Sequence, residues 1–233
     1  FDEGKLSYVY KAVEITKENL SSTIPLIGFC GSPWTLVAYS IQGGSSKDFK
    51  KTKDFISMHP GEVKELLEKI TSACFLYLKE QVKSGIDAIQ IFDSWADLLD
   101  VNQFSEFSLD FTKDLVRMLK DDDVTNHVPI ILFEKAPPTD VAEIPFDGLA
   151  CLSLHHSNSL NGAKNKLQNK YAIQGNLDPE VLTLSEKEIT QKTEIILDTM
   201  RGYPGFIFNL GHGITPNIEP EKIQVMIETI RSS

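Results

Sequence analysis

Arginine is scarce in this chain: Arg117, Arg201 and Arg231 are the only three among 23 basic residues, and the formal net charge over 233 residues is −10. Nucleic acid is held by a basic face, so this balance argues against nucleic acid as a partner. A polyanionic ligand would have to meet local exceptions to the overall field, or groups from outside this stretch. Cysteine is as sparse. Cys30, Cys74 and Cys151 stand far apart without a CxxC or HxC pair, which suggests neither a disulfide framework nor a zinc site, and the three are expected to be buried or half-buried thiols. No apolar run approaches the roughly 20 residues of a membrane-spanning helix. The first residues carry neither a basic n-region nor an apolar h-region, so a cytoplasmic protein without membrane contact is expected. Nucleotide fingerprints are missing too: there is no GxGxxG, and Gly43-Gly44-Ser45-Ser46-Lys47 lacks the first glycine of a P-loop. Neither GxSxG nor HExxH occurs.

What is present is the composition of a globular chain, 41% apolar and 24% charged, long enough for one substantial core. Short β-branched runs alternate with longer segments of helical periodicity. The predicted strands are Pro25 to Phe29, Ile86 to Phe92, Val128 to Phe133, Leu149 to Leu154, Tyr171 to Gln174, and Gly205 to Leu210. Between them the spacing predicts a helix over 185–201, where Ser185 and Glu188 have capping-box spacing and Ile189, Ile196, Leu197 and Met200 form a face. A second runs from Gly61 to Ser84 with Val63, Leu66, Leu67, Ile70 and Cys74 on one stripe. A third spans Glu219 to Ile230, and a further helix, Gly4 to Leu20, precedes the first strand.

Six strand–helix units imply a parallel sheet with helical crossovers, either doubly wound or closed into a barrel. An eight-unit barrel takes roughly 250 residues, so six units after a leading helix fit a single domain lacking the first two strands of such a barrel. In either fold the site lies at the carboxyl ends of the strands. Those ends read Phe29-Cys30-Gly31, Phe92-Asp93-Ser94-Trp95, Phe133-Glu134-Lys135, Leu154-His155-His156-Ser157, Gln174 to Pro179, and Asn209-Leu210-Gly211-His212-Gly213. Five of the six carry polar or ionisable groups where apolar strands stop, which points to a pocket with its own chemistry.

Each group also has an ordinary structural role open to it. The glycines of residues 28–44 supply turns. A lone histidine such as His212 is commonly a hydrogen-bonded structural residue, although Gly211 and Gly213 beside it permit close backbone approach. His155 and His156, as neighbours on a strand, are expected to point to opposite faces, which disfavours a metal site. Gln174 to Pro179 has the composition of a turn. Asp93 and Glu134 are candidates for paired carboxylates, with a separation that spacing alone leaves open. Asp121-Asp122-Asp123 is expected to be a solvated loop.

Several stretches in fixed order resemble the uroporphyrinogen decarboxylases: PLIGFCGSPWTLVAYSIQGGSSK (25–47), IQIFDSW (89–95), PIILFEK (129–135), IQGNLDP (173–179) and FNLGHGI (208–214). The resemblance runs from about Leu6 to Ile230. It implies a (β/α)8 barrel of the α/β class, with about six β/α units in this chain, usually assembled as a homodimer. It implies cofactor-free decarboxylation of the four acetate side chains of uroporphyrinogen III to methyls, giving coproporphyrinogen III on the way to haem. Carried over motif by motif, Phe29 would pack on the macrocycle and Tyr39 would hydrogen-bond near the reacting acetate. Ser94 would contact a substrate carboxylate, and His212 would bind or polarise another; Tyr39 and His212 are the implied catalytic pair.

The sequence departs from the family at two places. The family's N-terminal segment, with arginines for the substrate carboxylates and an aspartate for the pyrrole N–H groups, has no counterpart, so this stretch alone is expected to be inactive. Leu154-His155-His156-Ser157 stands where the family commonly has an Asp-Trp pair. Two other readings are a non-catalytic tetrapyrrole-binding protein and a superfamily-related methyltransferase, the latter needing a His/Cys metal set that the cysteine spacing does not offer.

Overall fold

Each short apolar run forms a strand of a parallel ladder, and each periodic segment forms a helix, in a computed structural model of the chain. The structure describes residues 2–46, 48–135, 144–167 and 170–233; Lys47, the last residue of the 25–47 motif, and Phe1 lie outside them. The chain divides into two compact units, Phe1–Thr139 with Phe146–Ala150, and Asp140–Pro145 with Cys151–Ser233.

The first unit opens with a 3-10 turn, Glu3–Leu6, and helix α1, Ser7–Asn19. Strand β1, Ile27–Gly31, is followed by α2 (Pro33–Gln42), α3 (Lys50–Met58) and α4 (Pro60–Lys83). After β2 (Ala88–Asp93) come α5 (Val101–Gln103), a π-helical segment (Phe104–Leu109), α6 (Asp110–Asp121) and β3 (Ile130–Glu134). β1 pairs with β2 and β2 with β3, both parallel, with Cys30 opposite Ile91 and Asp93 opposite Glu134. Strand β1 begins two residues later than the apolar run suggested. Pro25 has no N–H for a ladder, and the run's polar end, Cys30-Gly31, pairs instead.

The predicted stripe on α4 is the buried one. Val63, Leu67 and Cys74 are sealed while Leu66 and Ile70 are half-buried, and Leu67 packs in a core with Trp34, Val37, Phe104 and Phe107. The aspartate run is not a plain solvated loop: Asp122 pairs with Lys79 at 2.6 Å and accepts from Val124 N–H at 3.0 Å. It thereby ties the end of α6 to α4, and the lysine holds its carboxyl below the usual range.

The second unit contains β4 (Cys151–Leu154), α7 (Leu160–Leu167), β5 (Ala172–Leu177), a 3-10 turn (Pro179–Thr183), α8 (Glu186–Met200), β6 (Phe206–Leu210) and α9 (Pro220–Arg231). β4 and β6 flank β5, all parallel, with Leu152 opposite Ile173 and Ile173 opposite Phe206. The capping box is formed, with Ser185 N–H and hydroxyl donating to Glu188 at 3.1 and 2.6 Å. Leu177, Leu182, Ile189 and Met226 make the core under α8 and α9. β5 runs three residues beyond its predicted end, so Gly175, Asn176 and Leu177 are strand, and only Asp178 turns the chain by accepting from Glu180 N–H at 3.0 Å.

The fold class is α/β, with six parallel strands alternating with helices as in part of a (β/α)8 barrel fold, and among the described residues no helix lies between β3 and β4. Among the described residues no helix is long and apolar enough to cross a membrane.

Leu67→Ala removes three buried side-chain carbons from a fully sealed position, and we expect it to cost about 3 kcal/mol. Urea unfolding followed by tryptophan fluorescence checks this, because both tryptophans, Trp34 and Trp95, belong to the first unit. Ile195→Ala, at a position 59% exposed on α8, should leave the midpoint within experimental error.

Candidate functional site

The turn from β1 into α2 is built by its own small residues. Ser32 caps α2 by accepting from Thr35 N–H at 3.0 Å, Pro33 occupies the first turn, and Gly43 closes the helix at φ 85°. The exposed Phe29, with 60% of its surface open, stands edge-on to Phe92 at 5.9 Å between ring centres. It also lines an apolar cavity of about 480 Å³ with Leu6, Tyr8, Leu36, Ile70 and Tyr77. Tyr39 is half-buried on α2, edge-on to Trp95 and to Phe49, each at 5.9 Å. Ser94 follows directly on β2, and its N–H donates to Thr35 Oγ1 at 3.0 Å.

That threonine is the link between α2 and a buried carboxyl pair. Its hydroxyl donates to Asp93 Oδ1 at 2.9 Å, and Ser108 from the π-helical segment donates to Oδ2. Asp93 is fully buried, and Glu134, opposite it on β3, is 3% exposed. Burial pushes both acids up, Glu134 well above the usual carboxylate range; the hydroxyls around Asp93 oppose the rise there, whereas the charge of Asp93 adds to it at Glu134. Neither oxygen of Glu134 receives a bond from an N–H or a hydroxyl. Glu134 is the direct ladder partner of Asp93, so the two buried acids lie side by side on adjacent strands. The separation that spacing left open is that of neighbouring residues on paired strands.

In the second unit three imidazoles gather. The rings of His155 and His156 lie 3.9 Å apart between centres, and His155 meets His212 edge-on at 5.7 Å. The expectation that His155 and His156 point to opposite faces is overturned. β4 ends at Leu154, and residues 155–158 form a turn closed by Asn158 N–H to His155 O at 3.0 Å, so strand alternation no longer applies. Asn176 on β5 holds that turn, its amide donating to His155 O at 3.0 Å and Asn158 O at 2.9 Å. Gly211 allows the approach of the β6 end: a Cβ there would lie 2.3 Å from His156 N.

The structure thus brings Tyr39 and Ser94 to one neighbourhood through Trp95 and Thr35, with Phe29 against Phe92 on the adjoining strand ends. His212 belongs to the second unit, beside His155. Residues to which sequence reasoning assigned no role are Thr35, Ser108 and Asn176. Asn176 was read as part of a turn, and only the extension of β5 to Leu177 makes it a strand residue with a buried side chain. All three cysteines are buried thiols. Contact with the Cys74 thiol, together with burial, pushes Cys30 up, and burial brings Cys151 up to about 12. These are poor nucleophiles.

Parallel strands whose carboxyl ends carry an exposed aromatic and a buried acid pair in the first unit, and clustered imidazoles in the second, define an α/β protein with polar groups at its strand ends. The family model described as uroporphyrinogen decarboxylase (URO-D) matches residues 1–233. The chain belongs to the uroporphyrinogen decarboxylase family. Among curated relatives of that name, those of Ruthia magnifica and Campylobacter jejuni are 38% and 40% identical over 227 and 230 residues, 97% and 98% of this chain. The relative from Alcanivorax borkumensis is 39% identical over 98% of the chain. The chain spans about 65% of the length of these relatives. Among solved structures, a methyltransferase from Methanosarcina mazei superposes with a TM-score of 0.77 at 18% identity, over 98% of this chain and 64% of that one. A B12-independent methionine synthase from Shewanella gives a TM-score of 0.61 at 13% identity, over 96% of this chain and 64% of that one. At such identities the likeness is one of fold.

Gly211→Ala should destabilise the second unit by about 2 kcal/mol, because the atoms it meets are backbone and cannot rotate away. It should also shift the imidazole resonances of His155 and His212. Gly213→Ala, where a Cβ meets nothing within 4 Å, serves as the comparison, and equal behaviour of the two variants would remove the close-approach role.

Proposed function

We propose that this chain is the catalytic part of a uroporphyrinogen decarboxylase, converting the four acetate side chains of uroporphyrinogen III to methyls and yielding coproporphyrinogen III for haem synthesis. The observation that carries this reading is the family match along all of residues 1–233. In each step one acetate carboxylate leaves as CO2, its bonding electron pair is accepted by a pyrrole ring protonated beside its nitrogen, the side-chain carbon takes up a proton to become methyl, and the ring gives back the proton it had taken, so that one proton is consumed for each CO2 released. No redox partner is needed, and the reading includes no cofactor. The protein's work is positioning, protonation and stabilisation of charge.

In this reading Phe29, the most exposed aromatic at a strand end, packs on the macrocycle. Tyr39, held edge-on by Trp95 and Phe49, presents its hydroxyl near the reacting acetate. Ser94 contacts one carboxylate, and His212 binds or polarises another. The stretch from Gly28 to Gly44 accordingly lets the backbone come close to a broad flat ring. A single-domain organisation, a cytoplasmic location and a homodimer belong to the same proposal.

Anaerobic incubation with uroporphyrinogen III, oxidation, and separation of the porphyrins by carboxylate number tests it. With the family's arginine-bearing N-terminal segment supplied alongside this chain, heptacarboxylate to tetracarboxylate products are expected, and the stretch alone is expected to leave the octacarboxylate unchanged. Unchanged octacarboxylate with that segment supplied, together with saturable porphyrin binding by absorbance, would replace the decarboxylase with a tetrapyrrole-binding protein. Within the same assay His212→Asn should lower turnover about a hundredfold relative to Lys192→Ala. Equal rates for the two variants would remove His212 from the site.

A further inference from the structure

We propose that Asp93 and Glu134 hold one proton between them, and that this shared proton, acting through Thr35, positions Ser94 at the end of β2. Four observations carry the proposal. The two acids are direct partners across the β2–β3 ladder, and Lys135 N–H donates to Asp93 O at 3.0 Å, so the backbone prevents them from moving apart. Both are buried. The hydroxyl donors are unequally divided: Thr35 and Ser108 serve Asp93, and none serves Glu134. Ser94 hangs on the same threonine by its N–H.

The charged groups on the elements around the pair are already matched. Lys135 is bonded to Asp97 at 2.9 Å and lies over the Trp95 ring, while Glu106 of the π-helical segment is paired with Lys64 at 2.6 Å. Burial and Asp93 are what act on Glu134, with no cation contributing. Two ionised carboxyls side by side under these conditions repel strongly. The unequal donors assign the microstate: the negative charge rests on Asp93, and Glu134 keeps the proton and donates it as a hydrogen bond.

The resulting chain runs from the Glu134 acid to the Asp93 carboxylate, which accepts from the Thr35 hydroxyl, which in turn accepts from Ser94 N–H. Loss of the proton replaces the first bond by repulsion and loosens every later one. Asp93 and Glu134 are thus positioning residues, because they act through Thr35 and do not reach solvent. The shared proton stands on this geometry alone; the step from Ser94 to a bound carboxylate rests on the decarboxylase reading above.

The test begins with the infrared spectrum of the whole protein as a function of pH. The wild type should show the carbonyl band of a buried protonated carboxyl at neutral pH, disappearing at alkaline pH, and Glu134→Gln should lack it. The sign for stability follows from the raised acids. The folded state binds more protons than the unfolded one above the ordinary carboxylate value of about 4.3, so wild-type stability falls as pH rises from there towards the pair's own titration. Glu134→Gln has no proton to lose and should flatten that fall in urea titrations. With uroporphyrinogen, the wild-type KM should rise about fivefold from about pH 7 to about pH 9, with a smaller change in kcat, while that of Glu134→Gln stays level.

Absence of the band from the wild type, or an unaltered pH dependence in Glu134→Gln, would overturn the proposal. The wild-type band decides the matter even if the variant does not fold. A band that titrates as expected in a protein that neither binds nor converts the tetrapyrrole would leave the shared proton standing and remove the substrate reading instead.

Discussion

Parallel pairing is the constraint on which the other features rest. In a parallel ladder every strand leaves the sheet at the same rim, so the residues that end β1, β2 and β3 are neighbours whatever their separation in sequence. Apolar positions within the strands are sealed by helices, and the first polar residue after each strand is forced beside the first polar residue of the next. Asp93 and Glu134, 41 positions apart in the chain numbering, become ladder partners for this reason. The same rule in the second unit sets the His155 turn beside the end of β5, where Asn176 secures it.

Close packing at that rim turns ordinary residues into polar networks. A capping serine and a threonine one turn into α2 would serve any helix, yet Thr35 also bridges a buried acid and the backbone of Ser94. The buried acids are costly, and three features reduce the cost: hydroxyl donors on Asp93, a proton retained on the pair, and a backbone bond that fixes the distance. Aromatic rings do comparable work on the open side. Phe92 stands edge-on to Phe29, and Trp95 and Phe49 stand edge-on to Tyr39, which fixes the orientation of both rings.

Part of the acidic surface is matched on the helices themselves, as where Glu14 faces Lys11, Asp54 faces Lys50 and Asp114 faces Arg117 three or four positions away. Such pairs contribute little to stability and screen the field at a distance. The strand ends differ locally, with three imidazoles clustered in the second unit and one buried acid pair holding back a charge in the first.

Periodicity in the sequence determined the element order, all six strands, the capping box of α8 and the buried stripe of α4, because these depend on residues within a few positions of one another. Motif order determined the family and the identities of Phe29, Tyr39, Ser94 and His212 as candidates. Strand ends were less legible: ladder partners, not local composition, moved β1 forward past Pro25 and carried β5 on to Leu177. The pairing of Asp93 with Glu134, the bridge made by Thr35, and the stacking of His155 on His156 were decided only by tertiary structure. Each joins residues from separate strands or places a turn where alternation was assumed, and distance through space is a property of the assembled sheet that no local pattern encodes.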